Sequence, residues 1–389
     1  MTQEPNIFPY IERLLQGAEV VWKPLGEVVR LEKGKQLNKT ALLEEGAYPA
    51  YNGGVSFSGF TNTYNYEENT IIISQGGASA GFVNFVTTKF YANAHCYVIL
   101  PNTELVENRF VYHFLKSNQE ILMSRQLGAG IPALRTSEIL GIQIPLPPLS
   151  VQQEIVRILD KFTELEAELE AELDCRKRQY EHYRNKLLTY EGNEVEWKTL
   201  GEVGEIRMCK RILKEQTSDY GEVPFYKIGT FGKEADAYIS KELFNEYRSK
   251  YNYPNVGDIL ISASGTIGRT VIFDGKEAYF QDSNIVWIEN DQKKVLNKYL
   301  FYCYQIAKWN ISEGGTIQRL YNENLRKTLI PIPYPNNPEK SLEEQQRIVT
   351  ILDKFDTLVN SISEGLPKEI ALRRKQYEYY REKLLSFPS

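Results

Sequence analysis

Histidine and cysteine are scarce in this chain. Its 389 residues include three histidines (His95, His113, His182) and four cysteines (Cys96, Cys175, Cys209, Cys303). They stand far apart, with no Cys-x-x-Cys pair, so the pattern argues against a disulfide framework and a zinc site and fits reduced thiols in a cytoplasm. No metal centre is expected, and no Ser/His/Asp or Cys/His constellation can be assembled. Long apolar runs are missing too. No stretch of 18 apolar residues exists to span a membrane, and Met1 to Tyr10 lack the charged-then-apolar pattern of a secretory signal. Neither a G-x-x-x-x-G-K-S/T phosphate loop nor an N/D-P-P-Y/F amino-methyltransferase motif occurs. The glycine pairs Gly53-Gly54, Gly76-Gly77 and Gly314-Gly315 follow no nucleotide-binding spacing and read as turns. The chain is expected to be no enzyme.

The composition is that of a globular protein, 42% hydrophobic and 25% charged. The net charge of −5 speaks against a nucleic-acid binder acting alone. Its distribution is uneven. Carboxylates crowd Glu164 to Asp174, while cations gather at Lys33, Lys35 and Lys39, at Arg207, Lys210, Arg211 and Lys214, and at Arg319, Arg326 and Lys327. A protein that grips DNA as part of a basic complex tolerates such a balance.

The chain says nearly everything twice. Gln152 to Phe162 (QQEIVRILDKF) returns as Gln345 to Phe355 (QQRIVTILDKF), Arg176 to Leu188 (RKRQYEHYRNKLL) as Arg373 to Leu385 (RRKQYEYYREKLL), and Val20 to Val28 (VVWKPLGEV) as Val195 to Val203 (VEWKTLGEV). The period far exceeds a solenoid repeat, so the unit repeated is a domain plus a helix. Short β-rich runs at Thr70 to Ser74, Tyr97 to Leu100, Ile259 to Ser262 and Ile285 to Ile288 lie between turn signals. Ile73 to Gly77 aligns with Ile261 to Gly265. Gly128, Ile131, Leu134 and Ile144-Pro145 align with Gly314, Ile317, Leu320 and Ile330-Pro331. Frame positions repeat while the residues between them differ, as expected of two domains of one fold reading two ligands.

Pro-rich exits at Ile144 to Pro148 and Ile330 to Pro335 close the domains, because proline excludes both helix and central strand. A long helix should follow each. Ile155, Leu159, Phe162, Leu169, Leu173 and Tyr180 mark a coiled-coil seam in the central helix, and Ile348, Leu352, Phe355, Ile362 and Tyr377 in the distal one. Two such helices are expected to pair antiparallel. Thr163 to Asp174 writes the tetrapeptide T/A-E-L-E/D three times. Ala, Glu and Leu in this pattern fit a solvated acidic helix, and beyond that a ruler, the reading favoured, each copy adding about 6 Å of helix. The distal helix carries four more residues here and contains Gly365-Leu366-Pro367, which predicts a kink or restart. Tyr10 to Leu15 resembles the helix end Tyr183 to Leu188, so the order is cyclic and predicts pseudo-two-fold symmetry.

These motifs, in this order, resemble the specificity (S) subunits of type I restriction–modification enzymes. The likeness covers essentially the whole chain. It implies a mixed α/β (α+β) fold of two similar target-recognition domains, residues 1–150 and 191–342, held apart by antiparallel coiled-coil helices at 151–190 and 343–389. Each domain would read one half of a bipartite asymmetric target in double-stranded DNA, with the helices fixing the gap. Two modification (M) subunits carrying S-adenosylmethionine would dock on the helices and methylate adenines. Up to two restriction (R) subunits would add ATP- and Mg-dependent translocation and cleavage. No cofactor is expected on this chain. A fused methyltransferase or nuclease would need the catalytic motifs that are missing, and a scaffold with no DNA role leaves the divergence between repeated frames unexplained.

Phosphates call for cations, and base edges for amides, hydroxyls or guanidiniums. In the first domain the candidates are Lys35, Asn38, Lys39, Asn52, Ser74, Gln75, Ser79, Asn84, Lys89, Asn93, His95, Arg125 and Arg135. In the second they are Lys210, Arg211, Lys214, Lys227, Ser264, Thr266, Arg269, Asp282, Asn284, Gln318 and Arg319. The loops Ser74–Ser79 and Ser262–Arg269 matter most, with Arg269 falling where the first copy has Gly81. Leu159, Phe162, Leu352 and Phe355 should be internal core, as should Trp22 and Trp197. Tyr180, Tyr183, Tyr377 and Tyr380 are the candidate anchors for partner subunits.

Overall fold

The computed structural model describes residues 8–126, 132–190, 194–311 and 318–387, the side chain of Lys39 excepted. It divides into two compact units, one of residues 1–171 with 368–389 and one of residues 172–367. The cut does not follow the repeat. Each unit holds one domain, the start of the helix that leaves it and the end of the other long helix.

In the first unit β1 (Val21–Pro24), β2 (Val29–Lys33), β3 (Tyr48–Tyr51), β4 (Gly59–Thr61), β5 (Thr70–Ser74), β6 (Val83–Val86), β7 (Tyr91–Ala92), β8 (Cys96–Pro101) and β9 (Gln143–Leu146) form three small sheets. Their orders are β2-β8-β5-β6, β4-β3-β7 and β1-β9. The helices are α1 (Pro9–Leu15), α2 (Asn108–Ser117), α3 (Gln119–Ser124), α4 (Thr136–Leu140) and α5 (Leu149–Leu188). In the second unit β10 (Val195–Thr199), β11 (Gly204–Met208), β12 (Val223–Tyr226), β13 (Tyr238–Ile239), β14 (Ile259–Ser262), β15 (Thr270–Ile272), β16 (Tyr279–Phe280), β17 (Ile285–Asn290) and β18 (Leu329–Pro333) repeat the scheme as β11-β17-β14-β15, β13-β12-β16 and β10-β18. Its helices are α6 (Leu200–Val203), α7 (Lys241–Lys250), α8 (Asn297–Ile306), α9 (Asn322–Arg326) and α10 (Pro338–Asn360), and α11 (Gly365–Leu384) runs on into the first unit.

The central strands are apolar on both faces because each face has its own core. Ile71 and Ile73 of β5 join the core that reaches the helices, while Ile72 faces a smaller one with Val86, Phe90 and Val98. Ile259 and Ile261 of β14 repeat this against Leu260. The Pro-rich exits are strands. Trp22 lies opposite Pro145 and Trp197 opposite Pro331 in two-stranded ribbons, whose open edges tolerate a residue without an N–H. The expectation that both tryptophans are core fails for Trp197, which is 45% exposed on its ribbon, while Trp22 packs half-buried against the first core.

Helix pairing is antiparallel inside each unit. In the first, Phe162 stacks on Tyr380 (5.3 Å) while Glu166 and Glu170, further along α5, hold Arg374, which is earlier on α11. In the second, Tyr183 stacks on Phe355 (5.5 Å), while Tyr190, just past the end of α5, lies near Glu344 and Arg347, which are earlier on α10. Ile155, Leu159, Ile348 and Leu352 are fully buried. Ile11 and Leu15 of α1 share the first core with Leu384, Leu385 and Phe387, so the two ends of the described chain meet there, as the cyclic order predicts.

The distal helix restarts. Ser361–Glu364 leave the helix, and these four residues account for its extra length. Gly365 has φ +74°, and a Cβ there would lie 2.5 Å from the Thr357 carbonyl oxygen and 2.7 Å from that of Leu358, so only glycine turns this corner. Pro367 then sits in the first turn of α11, where it costs no hydrogen bond. Ile362, expected on the seam, lies on this break and is 89% exposed. The distal helix also begins earlier than expected, at Pro338, where the Asn337 side chain accepts from the Lys340 N–H (3.1 Å). The aligned Gly128, Ile131, Gly314 and Ile317, and the pair Gly314-Gly315, lie outside the described residues.

Candidate nucleic-acid interface

The frame of the candidate surface is a β-hairpin turn clipped to a later segment. In the first unit the Ser74 N–H donates to the Phe82 carbonyl and the Gly81 N–H to Ser74. Gln75 N–H donates to the His95 carbonyl (2.9 Å) and Leu134 N–H to the Gln75 carbonyl (2.8 Å). The second unit repeats each bond. Ser262 N–H donates to Arg269, Gly268 N–H to Ser262, Ala263 N–H to Asn284 (2.7 Å) and Leu320 N–H to Ala263 (2.8 Å). Gly81 (φ +91°) and Gly268 (φ +79°) therefore correspond. This corrects the sequence alignment: Arg269 stands opposite Phe82, not Gly81, because the second turn is one residue shorter.

The same bonds match Tyr51 with Tyr226, whose carbonyls accept from the Asn93 and Gln281 N–H groups (both 2.9 Å). Asn52 thus corresponds to Lys227 and His95 to Asn284. Of the first-unit candidates, Asn52, Ser74, Gln75, Ser79, Asn84, His95 and Arg135 gather on this surface. His95 is exposed in the turn before β8. Several are occupied by the frame itself. Ser74 Oγ donates to the Gly54 carbonyl (3.2 Å), Asn84 Nδ2 to Val55 (3.0 Å), and buried Asn93 Nδ2 to Leu37 (3.2 Å) while its Oδ1 accepts from the Leu37 N–H. Lys89 lies apart, held by Glu67 (3.0 Å) and Tyr64, which raise its pKa. Lys35 and Asn38 are exposed, the backbone of Lys39 opens a short helical turn beside them, and Arg125 pairs with Glu138 (3.7 Å).

In the second unit Ser264, Thr266, Arg269, Asp282, Asn284, Gln318 and Arg319 share the corresponding surface, with Lys227 and Arg211 at its edge. Arg211 is paired with Asp282 (2.9 Å), Lys227 with Asp236 (2.8 Å), and Arg269 Nη1 donates to the Phe231 carbonyl (2.9 Å). Ser264 is buried opposite Arg319, and Lys210 lies over the Tyr251 ring (5.3 Å). Lys214 and Thr266 are exposed.

The repeated helix motif explains itself at the domain–helix joint. The first glutamine of each pair is fully buried. Gln152 accepts from the Glu107 N–H (2.8 Å) and donates to the Pro147 carbonyl (2.8 Å), and Gln345 accepts from Leu296 (2.9 Å) and donates to Lys294 (3.0 Å). The aspartate takes a cation and a second donor from the domain's helix. Asp160 binds Arg109 and His113 (2.7 Å), and Asp353 binds Lys298 (2.8 Å) and Tyr302. Burial holds the His113 pKa below its ordinary value, against the opposing pull of the Asp160 hydrogen bond. Sequence reasoning missed these residues, although their repetition marked them. Tyr180 and Tyr377, expected as partner anchors, are instead buried in their own units, at 5% and 8% exposure. They lie on the inward side of the helix, where Tyr377 Oη meets His113 Nδ1 (3.0 Å) and Tyr180 Oη donates to Gln305 (3.3 Å). Tyr183 and Tyr380, one turn on, are exposed at 42% and 36%.

Comparison with known proteins decides the family. The model of the type I restriction modification DNA specificity domain matches twice, at residues 18–174 and 193–372. The chain belongs to the type I restriction–modification specificity subunits. A Haemophilus influenzae chain assigned as such a specificity subunit is 52% identical, covering 97% of this chain and 98% of its own length. The Escherichia coli EcoR124I/EcoR124II specificity subunit is 33% identical over 97% of each. The crystal structure of the S subunit from M. genitalium matches in fold with a TM-score of 0.60 at 18% identity, covering 100% of this chain and 99% of that one. Among the described residues, no group of three or more His, Cys, Asp and Glu residues could hold a metal ion, and no helix is long and apolar enough to cross a membrane.

Proposed function

We propose that each unit reads one half of a split, asymmetric DNA target, and that the helical stretch bearing the tetrapeptides sets the gap between the halves. The observation that carries this reading is the frame matched bond for bond, with different side chains at Asn52/Lys227, Phe82/Arg269 and His95/Asn284. A shared scaffold with exchanged surface residues is what two related recognition tasks require. Two M subunits bearing S-adenosylmethionine dock on the helices, for which exposed Tyr183 and Tyr380 are suited. They supply the adenine methylation. Up to two R subunits supply ATP- and Mg-dependent restriction. This chain contributes specificity and no catalysis.

The test is genome-wide adenine methylation, mapped in cells expressing this chain with its cognate M subunit and in cells expressing M alone. A split motif with a fixed gap, present only with this chain, is the expected result. A soluble complex that methylates no motif would refute the specificity role.

A further inference from the structure

Among the described residues, two arginines of the candidate set have guanidiniums without a partner, and they lie on matched segments. Arg135 follows Leu134 and Arg319 precedes Leu320. Leu134 and Leu320 are buried, at 1% and 3% exposure, and anchor the segments by their N–H bonds to Gln75 and Ala263. Isolated bridges join Gly76 to Ala133 and Ser264 to Arg319. The backbone on either side of each leucine is thus extended and pinned to the glycine-locked turn, so the flanking residues point away from the core. They are Ala133 and Arg135 in the first unit and Arg319 and Tyr321 in the second. Arg319 is exposed, and Tyr321 is 57% exposed at the start of α9. The other arginine heads of the set are engaged by Glu138, Asp282 or the Phe231 carbonyl.

We infer that these two positions are the paired base-reading positions of each unit, with Arg135 and Arg319 each addressing a guanine edge and Tyr321 a neighbouring base. The inference rests on the reading of each unit as the reader of a half-site. A guanidinium fork matches guanine O6 and N7, and a rigid backbone loses little freedom in presenting it. Alternate residues of an extended segment lie about 6.7 Å apart, close to two duplex steps of about 3.4 Å. The first unit carries its arginine at the second position and the second unit at the first. Relative to the common frame, their guanines fall about two base pairs apart.

The experiment compares the motif methylated by the complex of M with the wild-type chain, with Arg319→Ala, and with the exchange Arg319→Ala plus Tyr321→Arg. Arg319→Ala should make one G·C position of one half-site degenerate, with discrimination there falling about tenfold to a hundredfold, and leave the other half-site and the gap intact. The exchange should move the guanine requirement within that half-site. An unchanged motif overturns the inference. So does a folded complex, with unaltered melting, that loses affinity equally for all targets, since Arg319 would then hold a phosphate. If Arg319→Ala fails to fold, Arg319→Lys probes the same position, because lysine keeps the charge and loses the fork. A wild-type complex with no split motif at all indicts the broader reading instead.

Discussion

Asp160 and Asp353 show how one motif residue is used with different partners. Asp160 is met by Arg109 and the fully buried His113, and Asp353 by Lys298 and Tyr302. Only the first joint contains a histidine. Burial lowers the His113 pKa, with Arg109 and Arg381 acting in the same sense and Asp160 opposing. The unfolded chain therefore binds the proton first, near pH 6.5. Stability from this site is full above that pH and is lost as the pH falls below it. The thermal stability of the first unit should fall as the pH drops below 6.5, and His113→Gln should flatten that slope. A slope unchanged in the variant would place its origin elsewhere. Acid loss from Asp160, whose pKa is lowered, belongs to a separate window below its ordinary value of 3.8.

At the scale of elements, the paired glutamines separate two roles that the sequence presents as one. Gln152 is buried and satisfies the Glu107 N–H, whereas Gln153 is exposed. Gln152→Ala leaves the half-buried Glu107 N–H without a partner and should cost about 1–3 kcal/mol, while Gln153→Ala should cost almost nothing. Chemical denaturation of the two variants decides this, and equal losses would count against the joint. Gln345 and Gln346 should behave alike in the second unit. The helices, central strands and domain exits were legible because apolar spacing and proline dictate them. The inward turn of Tyr180 and Tyr377 was not, since residues three apart on a helix share a face until packing chooses between them. Nor was the pairing of Arg269 with Phe82. A one-residue difference inside a loop leaves no trace in composition, and only the hydrogen bonds of the frame reveal it. The candidate surface was half legible for the same reason: polar type marks a candidate, but whether Asn93 holds Leu37 or is free to meet a ligand depends on contacts distant in sequence.

At the scale of the whole molecule, the tetrapeptide array makes length adjustable without altering local chemistry. Leu165, Leu169 and Leu173 are all half-buried, and Glu166 and Glu170 both hold Arg374. Deleting Ala167 to Glu170 brings Asp174 to the place of Glu170 and Leu173 to that of Leu169, so the pattern offered to the partnering helix survives. Four residues turn a helix by about 400°, a net rotation of only about 40°, and shorten it by about 6 Å. Deleting three residues would instead swing the leucine face through about 60° the other way and break the repeat. The four-residue deletion should therefore retain both half-sites and shorten the gap in the methylated motif by about one or two base pairs, given a duplex rise of about 3.4 Å. The three-residue deletion should lose most methylation. Replacing residues 195–340 by a relative's domain should change one half-site and leave the gap alone. If the four-residue deletion left the gap unaltered, the array would be an acidic helix surface and not a ruler, while the modular reading of the two units would still stand or fall on the domain exchange.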